Sequence, residues 1–368
     1  MITFESTYNL ILTSSYIFYL KLNKNMITID GSSGEGGGQV LRTSVAMSAV
    51  TGREFRIENI RAKRKTPGIM PQHLNAISST AKLCNAETKG LRIGSMELEF
   101  YPKKVKGGRL NLNIGTAGSI TLVLQALMIP SIFADEDVKV TITGGTDVRW
   151  SPPIDYLRFV TLPILKKFGY SAKIQLIKRG YYPAGGGKVK AVIEPIGEMD
   201  RIELMNRGRL IAVRGISHCH SDLEKARVAR RQARSARSIL YNELSNMGFN
   251  GDIGIKQEYS EALSYGSGIT LWVETENSRV GADSIGEKGK RAELVGREAA
   301  EDLIKELDST APLDRYMADQ IVPYLALAGG SVRVSDVTEH ARTNVDIVNE
   351  FGFDVEIEGD VIRAKGVF

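Results

Sequence analysis

One of the four histidines of the chain, His340, lies where an imidazole could react. It sits in VTEHARTNV (337–345), among polar residues just before a helix-like segment. With Thr343 as N-cap and Asp346 three residues later, His340 would lie in the loop before a helix N-terminus. The positive end of a helix favours a neutral imidazole and attracts phosphate, and a neutral imidazole nitrogen is a competent nucleophile toward phosphorus. A surface imidazole without a chemical role is the alternative.

A glycine-rich turn, GSSGEGGGQVLR (31–42), lies between a strand-like segment and a helix-like one. It lacks the Gly-Lys-Ser/Thr ending of a Walker A loop and the spacing of a dinucleotide-binding turn. Glycines allow backbone N–H groups to approach an anion at a helix N-terminus. Because Glu35 would repel a bare phosphate, the loop indicates a divalent-metal ligand at Glu35. A tight turn with a solvated glutamate is the alternative.

Basic residues gather in two further segments, and both patterns suit a polyanion such as a phosphate backbone. A solvated charged loop and a solvated helix face are the alternatives. The first segment is IRAKRKTPGIMPQH (60–73), which holds Arg61, Lys63, Arg64, Lys65 and His73 around a Pro-Gly turn. The second is LEKARVARRQARSARSIL (223–240), which holds Arg227, Arg230, Arg231, Arg234 and Arg237 near one face of a predicted helix.

The elements that must position these residues recur along the chain. Helix-like and strand-like segments follow one another as αβαββ three times, beginning near residues 39, 120 and 316. Such a repeat predicts units that each lay two helices on one face of a small sheet. Residues 205–310 break the pattern with a strand, a long basic helix, two strands and another helix. We predict an α+β chain with a large domain (26–204 and 311–368) and a smaller inserted α+β domain (205–310).

Composition disfavours disordered and membrane classes, because 42% of the 368 residues are apolar and 25% are charged. A net charge of +5 and a sequence pI near 9.0 lean mildly toward anionic partners such as nucleic acid or nucleotides. The two cysteines, Cys84 and Cys219, lie far apart and form no CxxC pair. We therefore expect a reducing compartment, the cytoplasm, and no disulfide framework.

Residues 1–25 differ from the rest. LILTSSYIFYLKL (10–22) is apolar but interrupted by polar residues, and it is too short to span a bilayer. Since MITIDG at Met26 looks like a fresh start, we expect residues 1–25 to be a dispensable extension. An interfacial anchor is the alternative.

Taken together, the segments resemble the RNA 3′-terminal phosphate cyclase family in its catalytically competent form. The resemblance runs from Met26 to the end in the same order, and the combination is far more specific than any single motif. The matching segments are GEGGGQVLR, IRAKRKTPGIMPQH, GTAGSITLVLQ, GGTD with SPPIDY, YPAGGGK, YMADQ and HARTN.

The resemblance implies a fold and a reaction. The fold would be three βαβαββ units in a large domain with a smaller domain inserted before the last. The reaction would be ATP-dependent, with Mg²⁺ or Mn²⁺. A histidine would take AMP from ATP and release pyrophosphate, and the AMP would pass to the 3′-phosphate of RNA. The neighbouring 2′-OH would then expel AMP and close a 2′,3′-cyclic phosphate, which proximity makes easy.

Matching the motifs residue by residue implies roles for individual positions. His340 would be the adenylated histidine and Glu35 a metal ligand, while Asp319 could orient the histidine or hold the metal. The ATP-binding positions would be Gln125, Pro152, Tyr316, Met317, Ala318, Asp319 and Gln320. The positions near the phosphates or the RNA terminus would be Arg42, Arg61, Gln72 and His73.

Three other functions compete with this interpretation. A non-catalytic relative that acts in ribosome biogenesis would lack the reactive histidine. An enzyme resembling the enolpyruvyl transferases would bind a small anionic substrate and need no nucleophilic histidine. A plain RNA-binding protein would keep the basic segments without needing ATP. The presence of His340 favours the cyclase over all three.

Overall fold

The structure, a computed structural model, describes residues 25–34 and 37–367. Within them, helices pack against four sheets of four strands each, so the predicted α+β class is confirmed. Residues 1–24 of the predicted extension and Glu35 lie outside the described residues, and what was predicted for them stays a prediction. In the described part of the chain, no helix combines the length and apolar character needed to cross a membrane.

The first sheet has the strand order β1-β2-β4-β3 and carries two helices. Its neighbours β1 and β2 are parallel, so a helix must connect them, and the remaining pairs are antiparallel. The elements are β1 (Ile27–Asp30), α1 (Gly38–Thr51), β2 (Phe55–Glu58), α2 (Pro71–Leu83), β3 (Glu87–Lys89) and β4 (Leu98–Tyr101).

The second sheet repeats this order as β5-β6-β8-β7. Its second helical stretch is segmented. Pro163 has no N–H for the carbonyl of Phe159, and that carbonyl accepts a hydrogen bond from Arg279 Nη1 instead (2.8 Å). The elements are β5 (Gly108–Asn113), α3 (Ile120–Ser131), β6 (Val138–Gly144), α4 (Ile154–Tyr156), a π-helical turn (Leu157–Thr161), α5 (Leu162–Leu165), a 3₁₀ turn (Lys166–Phe168), β7 (Ser171–Lys178) and β8 (Gly187–Glu194).

The third sheet has the order β9-β14-β16-β15, so the relative order is the same again. Its first strand precedes residues 205–310, because β9 pairs in parallel with β14. The chain therefore leaves the third sheet after β9, continues through residues 205–310, and returns to this sheet's unit at the helix α8. The elements are β9 (Ile202–Leu204), α8 (Arg315–Ala328), β14 (Gly330–Arg333), α9 (Glu339–Glu350), β15 (Val355–Glu358) and β16 (Val361–Ala364).

The fourth sheet, β11-β10-β12-β13, forms with two helices what we call the 210–308 module. The two helices and one face of the sheet enclose a second apolar core. Its strand β13 was not predicted, and the boundaries at 205 and 310 stay a prediction. The elements are β10 (Leu210–His220), a 3₁₀ turn (Ser221–Leu223), α6 (Val228–Asn246), β11 (Asp252–Ser260), β12 (Ser267–Thr275), β13 (Arg279–Ile285) and α7 (Ala292–Asp308).

The other face of this sheet packs on the segmented helical stretch of the second unit. Trp272 of β12 stacks on Phe159, with ring centroids 4.7 Å apart and planes 5° from parallel. Ile216 and Trp272 are buried within the large apolar core rather than the core of the module. Apolar contact therefore joins the module to the rest of the chain.

A buried ionic cluster lies at the same junction. The guanidinium of Arg179, only 1% exposed, donates to Asp147 (3.2 Å), Asp155 (2.6 Å) and Glu258 of β11 (2.7 Å). His218 of β10 brings its Nε2 to 3.3 Å from Asp147 Oδ1. Burial works to raise the pKa of Asp147, but His218 and Arg179 overcome it and hold that pKa below its ordinary value. Glu258 and His218 thus bring the module into a cluster whose other members belong to the second unit.

Candidate functional site

His340 lies in the first turn of α9, as its second residue, and it is partly exposed. The predicted N-cap at Thr343 is wrong. Thr338 caps the helix, its Oγ1 accepting from Ala341 N (3.1 Å), while the Thr343 hydroxyl donates to the carbonyl of Glu339 (2.7 Å). The earlier start places Ala341 on the buried face, with Val345 one turn further on. His340 still lies at the positive end of a helix dipole.

The backbone of His340 is held by a glutamine from α1. Gln39 Nε2 donates to the carbonyl of His340 (3.1 Å) and lies 3.3 Å from Asp319 Oδ2. Asn344, one turn after His340, donates to the carbonyl of Asp319 (2.7 Å) and accepts from Thr43 Oγ1 (2.7 Å). These bonds fix α1, α8 and α9 against one another beside the histidine. Sequence analysis missed Gln39 and Asn344.

Several predicted site residues meet at a small cavity between α1, α3, α8 and α9. Arg42, Gln125, Asp319 and Gln320 line it. Its volume is about 40 Å³, which suits water but is far too small for a nucleotide. The amide of Gln320 is already engaged, because it accepts from Thr161 Oγ1 (3.1 Å) and donates to the carbonyl of Tyr316 (2.7 Å). These residues therefore lie beside Gln39 and Asn344, whose hydrogen bonds hold the first turn of α9 in place.

Burial shifts the pKa values of two ionisable residues that line this cavity. Burial raises the pKa of Asp319 to about 7, against the opposing effect of Arg42. Burial also lowers the pKa of Arg42 to about 10, although Asp319 partly compensates. The carboxyl group of Asp319 has a raised pKa, and it does not fully neutralise the neighbouring Arg42. Perturbed pKa values of this kind are typical of functional sites, where a further charged group binds.

The remaining predicted ATP-binding residues divide into exposed and buried ones. Tyr316 is 37% exposed, and its ring meets Tyr156 edge-on at 6.2 Å with the Arg315 guanidinium 5.4 Å from its centroid. Met317 and Ala318 are fully buried, so their side chains pack in the core. Tyr316 is thus the residue of this helix turn that offers an aromatic surface.

Pro152 lies in the loop before α4 and is partly exposed. Its carbonyl accepts from Thr121 Oγ1 at 2.7 Å, which ties this loop to the first turn of α3. Tyr156, which contacts the ring of Tyr316, lies in α4 itself. Pro152 therefore lies in a segment that leads directly to the tyrosine pair.

The predicted phosphate-binding residues gather around His73. Its ring is 3% exposed, and Nδ1 accepts from Met70 N (3.2 Å), so a neutral ring carries its proton on Nε2. Burial, with repulsion from Arg42 and Arg61, lowers the pKa of His73 to about 3. Gln72 Nε2 lies 3.4 Å from His73 Nε2. His73 is hence a neutral group among cations.

Arg61 anchors the basic turn. It adopts a left-handed backbone conformation (φ 54°), and its Nη1 donates to the carbonyl of Gly68 (2.9 Å). Burial and the neighbouring Arg64 lower its pKa below the ordinary arginine value. An arginine whose charge is destabilised by burial and by a second arginine is well placed to receive an anion.

The glycine loop is wedged between the histidine helix and His73. A Cβ on Gly34, whose φ is +54°, would lie 2.1 Å from Thr343 Oγ1. A Cβ on Gly38 would lie 2.1 Å from His73 Nε2. The loop thus links the first turn of α9 to the basic turn, and Glu35 lies between these two contacts in sequence.

Comparisons with known proteins bear on this arrangement. A family model described as RNA 3′-terminal phosphate cyclase matches residues 33–358. The proteins named RNA 3′-terminal phosphate cyclase from Pyrococcus furiosus and Methanothermobacter thermautotrophicus are each 49% identical, over 91% and 93% of this chain and 96% and 97% of their own lengths. The protein of that name from Ignicoccus hospitalis is 48% identical over 93% of this chain and 99% of its own.

The chain belongs to the RNA 3′-terminal phosphate cyclase family. The resemblance found in the sequence is thereby confirmed, and with it the prediction of an enzyme of this family.

For a member of the cyclase family, the donor set is informative about metals. No group of three or more His, Cys, Asp or Glu among residues 25–34 and 37–367 could hold a metal ion by itself. Magnesium bound together with nucleotide phosphates needs only one or two protein carboxylates. Asp319 is a candidate carboxylate for this role within the described residues, and Glu35 is the second candidate.

Proposed function

We propose that this chain converts an RNA 3′-terminal phosphate to a 2′,3′-cyclic phosphodiester at the expense of ATP, with His340 as the nucleophile. The observation that carries the proposal is the setting of His340. It lies in the first turn of α9, its carbonyl is held by Gln39, and the glycine loop packs on Thr343 in the next turn. A helix N-terminus beneath a glycine loop suits phosphate groups.

In the first step the lone pair of a His340 ring nitrogen attacks the α-phosphorus of ATP. A nitrogen–phosphorus bond forms, the bond from that phosphorus to the bridging oxygen breaks, and pyrophosphate leaves. The ring nitrogen that reacts must be unprotonated, and the positive end of α9 favours the neutral imidazole. Asp319, 3.3 Å from the Gln39 amide that holds His340, completes the support of the histidine.

In the second step an oxygen of the RNA 3′-phosphate takes the AMP from His340. The nitrogen–phosphorus bond breaks and a pyrophosphate linkage to AMP forms. In the third step the 2′-OH attacks the phosphorus of the RNA 3′-phosphate and loses its proton. The bond from that phosphorus to AMP breaks, and AMP leaves as the ring closes. A phosphate monoester has a poor leaving group, so prior adenylation supplies a good one, and the vicinal hydroxyl is already in place.

The charged residues of the site bind rather than react. Arg42 and Arg61, which both act on His73, supply positive charge for the phosphates. Tyr316 supplies an exposed ring for the adenine, and Pro152, in the segment that leads to Tyr156, is the second residue assigned to it. A divalent cation, held by Asp319 and Glu35, neutralises polyphosphate charge when bound.

The test is self-labelling with α-labelled ATP and Mg²⁺ or Mn²⁺. We expect a labelled protein whose bond is destroyed by acid and survives alkali, as a phosphoramidate should. His340→Ala should not be labelled. His220→Ala is the matched control, because His220 has structural bonds to Asp222 N and the carbonyl of Ala262, and it should be labelled normally.

Three outcomes would count against the proposal. Absence of label in a folded preparation rejects the covalent step. Label retained in His340→Ala rejects the assignment of the nucleophile. Cyclisation of 3′-phosphate RNA without any nucleotide rejects the adenylation scheme as a whole.

A further inference from the structure

One side of α6 carries a row of arginines that ends in a tyrosine. Arg227, which caps the helix, is followed at helical spacing by Arg230, Arg234, Arg237 and Tyr241, and we call these five residues the arginine ridge. The sequence placed Arg231 in the same row. The structure instead turns Arg231 to α7, where it donates twice to the carboxylate of Glu293 (2.8 and 2.9 Å).

The charge of the ridge is not used within the fold. Arg227, Arg230 and Arg234 are exposed, and none of them forms an ion pair with another described residue. Other arginines of the module do: Arg214 pairs with Asp252 and Arg279 with Glu274. Like charges one turn apart destabilise a helix. An acidic residue in each turn would remove this repulsion. Arginines that remain at these positions in spite of it indicate a surface that binds an anion.

The aromatic end of the ridge adds a second observation. Tyr241 is 67% exposed, so most of its ring is open to a partner. It falls one helical turn beyond Arg237, which itself donates to the carbonyl of Ile253 (2.7 Å) while staying exposed. Arginines followed by an exposed ring are the combination that single-stranded nucleic acid recognises, with phosphates on the cations and a base on the ring.

The direction of α6 along β11 places the first residues of the ridge at the strand end that also reaches the junction of the module. Arg230 lies beside Tyr259 near the end of β11, and Arg237 lies near its start. The ridge thus runs back along β11, and from Arg227 to Tyr241 it spans about 20 Å. Its first residues lie at the end where Glu258 of β11 meets Arg179 of the second unit.

From that junction a series of contacts leads to the site. Ala184 N donates to Ser264 Oγ (3.0 Å), which joins the loop at 181–187 to the module. A Cβ on Gly185 would lie 2.6 Å from the carbonyl of Thr116, and one on Gly118 would lie 3.2 Å from Cβ of Gln72. The exposed ring of Tyr182 lies along the same path. A strand that ends at His340 can therefore continue over these loops toward the ridge.

We propose that the arginine ridge binds the single-stranded phosphate backbone of the RNA substrate upstream of its 3′ end, with Tyr241 stacking on a base. The role of the 3′ end rests on the proposed function. Binding of RNA to the ridge does not depend on ATP or on His340.

The test compares a ridge variant with a charge-matched control on the full chain. The ridge variant is Arg227→Ala/Arg230→Ala/Arg234→Ala. The control is Arg291→Ala/Arg297→Ala/Lys305→Ala, which removes the same charge from exposed positions on and beside α7. The probe is a single-stranded RNA of about 20 nucleotides, longer than one typical site, ending in a 3′-hydroxyl and measured by fluorescence anisotropy at several salt concentrations.

We expect the ridge variant to lose about 2 from the slope of log K against log salt, since each phosphate contact on a single strand contributes about 0.7. Between about 50 and 200 mM salt it should lose about 15-fold less affinity than the parent. A lysine version of the same triple variant should keep the parent slope. Tyr241→Ala should bind about fivefold more weakly with an unchanged slope.

Activity assays separate this proposal from the proposed function. With RNA ending in a 3′-phosphate, the ridge variant should show a raised KM for the long RNA, a normal KM for one of about four nucleotides, and normal self-labelling. An unchanged salt slope in the ridge variant, or an equal loss in the control, overturns the proposal. A preference of the ridge for duplex over single strands would also overturn it. Failure of self-labelling in the parent rejects the adenylation scheme but leaves the binding result intact.

Discussion

The buried cation at the junction supports a quantitative prediction. Replacing Arg179 by methionine keeps most of its volume but leaves Asp147 and Asp155, both 0% exposed, without their shared guanidinium. Removal of one partner from a buried ion pair costs about 3–5 kcal/mol. The control is Arg158→Met. Arg158 bonds the same Asp155 at 2.8 Å but is 26% exposed, so its loss should cost at most about 1 kcal/mol.

Fluorescence can follow the junction itself. The chain has two tryptophans, and Trp150 is 91% exposed whereas Trp272 stacks on Phe159 at the junction. In a Trp150→Phe background, Trp272 alone reports on the docking of the 210–308 module. Urea unfolding should show the transition of Arg179→Met at a far lower denaturant concentration than that of Arg158→Met.

The pH dependence of the loss has a definite sign. The pKa of Asp147 is lowered in the fold, so this group stabilises the parent above pH about 4, and the stabilisation disappears as the pH falls further. In Arg179→Met the same carboxyl is buried with less compensation and binds a proton more readily. The difference between parent and variant should thus be larger at about pH 8 than at about pH 5.5. A loss below about 1 kcal/mol, or one equal to that of the control, would refute the reasoning.

Three further predictions concern the site and the thiols. Gly38→Ala should destabilise the chain by about 1–3 kcal/mol and impair cyclisation, because its Cβ would collide with His73, whereas Gly37→Ala, whose nearest neighbour would be 3.4 Å away, should be nearly neutral in urea unfolding. Asp319→Asn should raise the free energy of unfolding at about pH 8 by about 1–3 kcal/mol, because the raised pKa of Asp319 makes its anion unfavourable in the fold. The gain should shrink as the pH falls from about 7 to 4, and an equal gain at both ends of this range in thermal unfolding would contradict the reasoning. Both cysteines are buried, and burial raises the pKa of Cys84 to about 11, so a thiol reagent should find no reactive thiol in the native protein and two in urea; rapid reaction of the native protein would count against the buried placement.

Much of the site could be predicted because its chemistry is local in sequence. Gln125 stands out in α3, a helix whose other residues are all buried, and a single glutamine in such a segment is a visible signal. The glycine loop and the basic turn were equally visible as clusters. What the sequence could not give was the support: Gln39 reaches a carbonyl 301 positions away, and no local pattern announces such a bond.

The errors in the prediction have physical causes of the same kind. Thr338 and Thr343 can each cap a helix, and only the packing of Ala341 decides between them. Strand β13 (RVGADSI) combines small and polar residues that bury against α7, so it lacks the alternation that marks a strand. Arg231 matched the arginine row by spacing, and its partner on α7 became apparent only in three dimensions.

The charges around Arg179 and the charges around His340 are compensated differently. The difference distinguishes a cluster that holds the fold together from one that is suited to binding a ligand. Around Arg179 the buried carboxylates of Asp147 and Asp155 each lie within 3.2 Å of the guanidinium, so these charges compensate one another within the fold. Around His340 burial raises the pKa of Asp319 and lowers that of Arg42, so both charges are unfavourable in the fold, and the lowered pKa of His73 keeps its ring neutral. Polyphosphate and a cation would relieve these costs together. Uncompensated charge is therefore where this fold is prepared for chemistry.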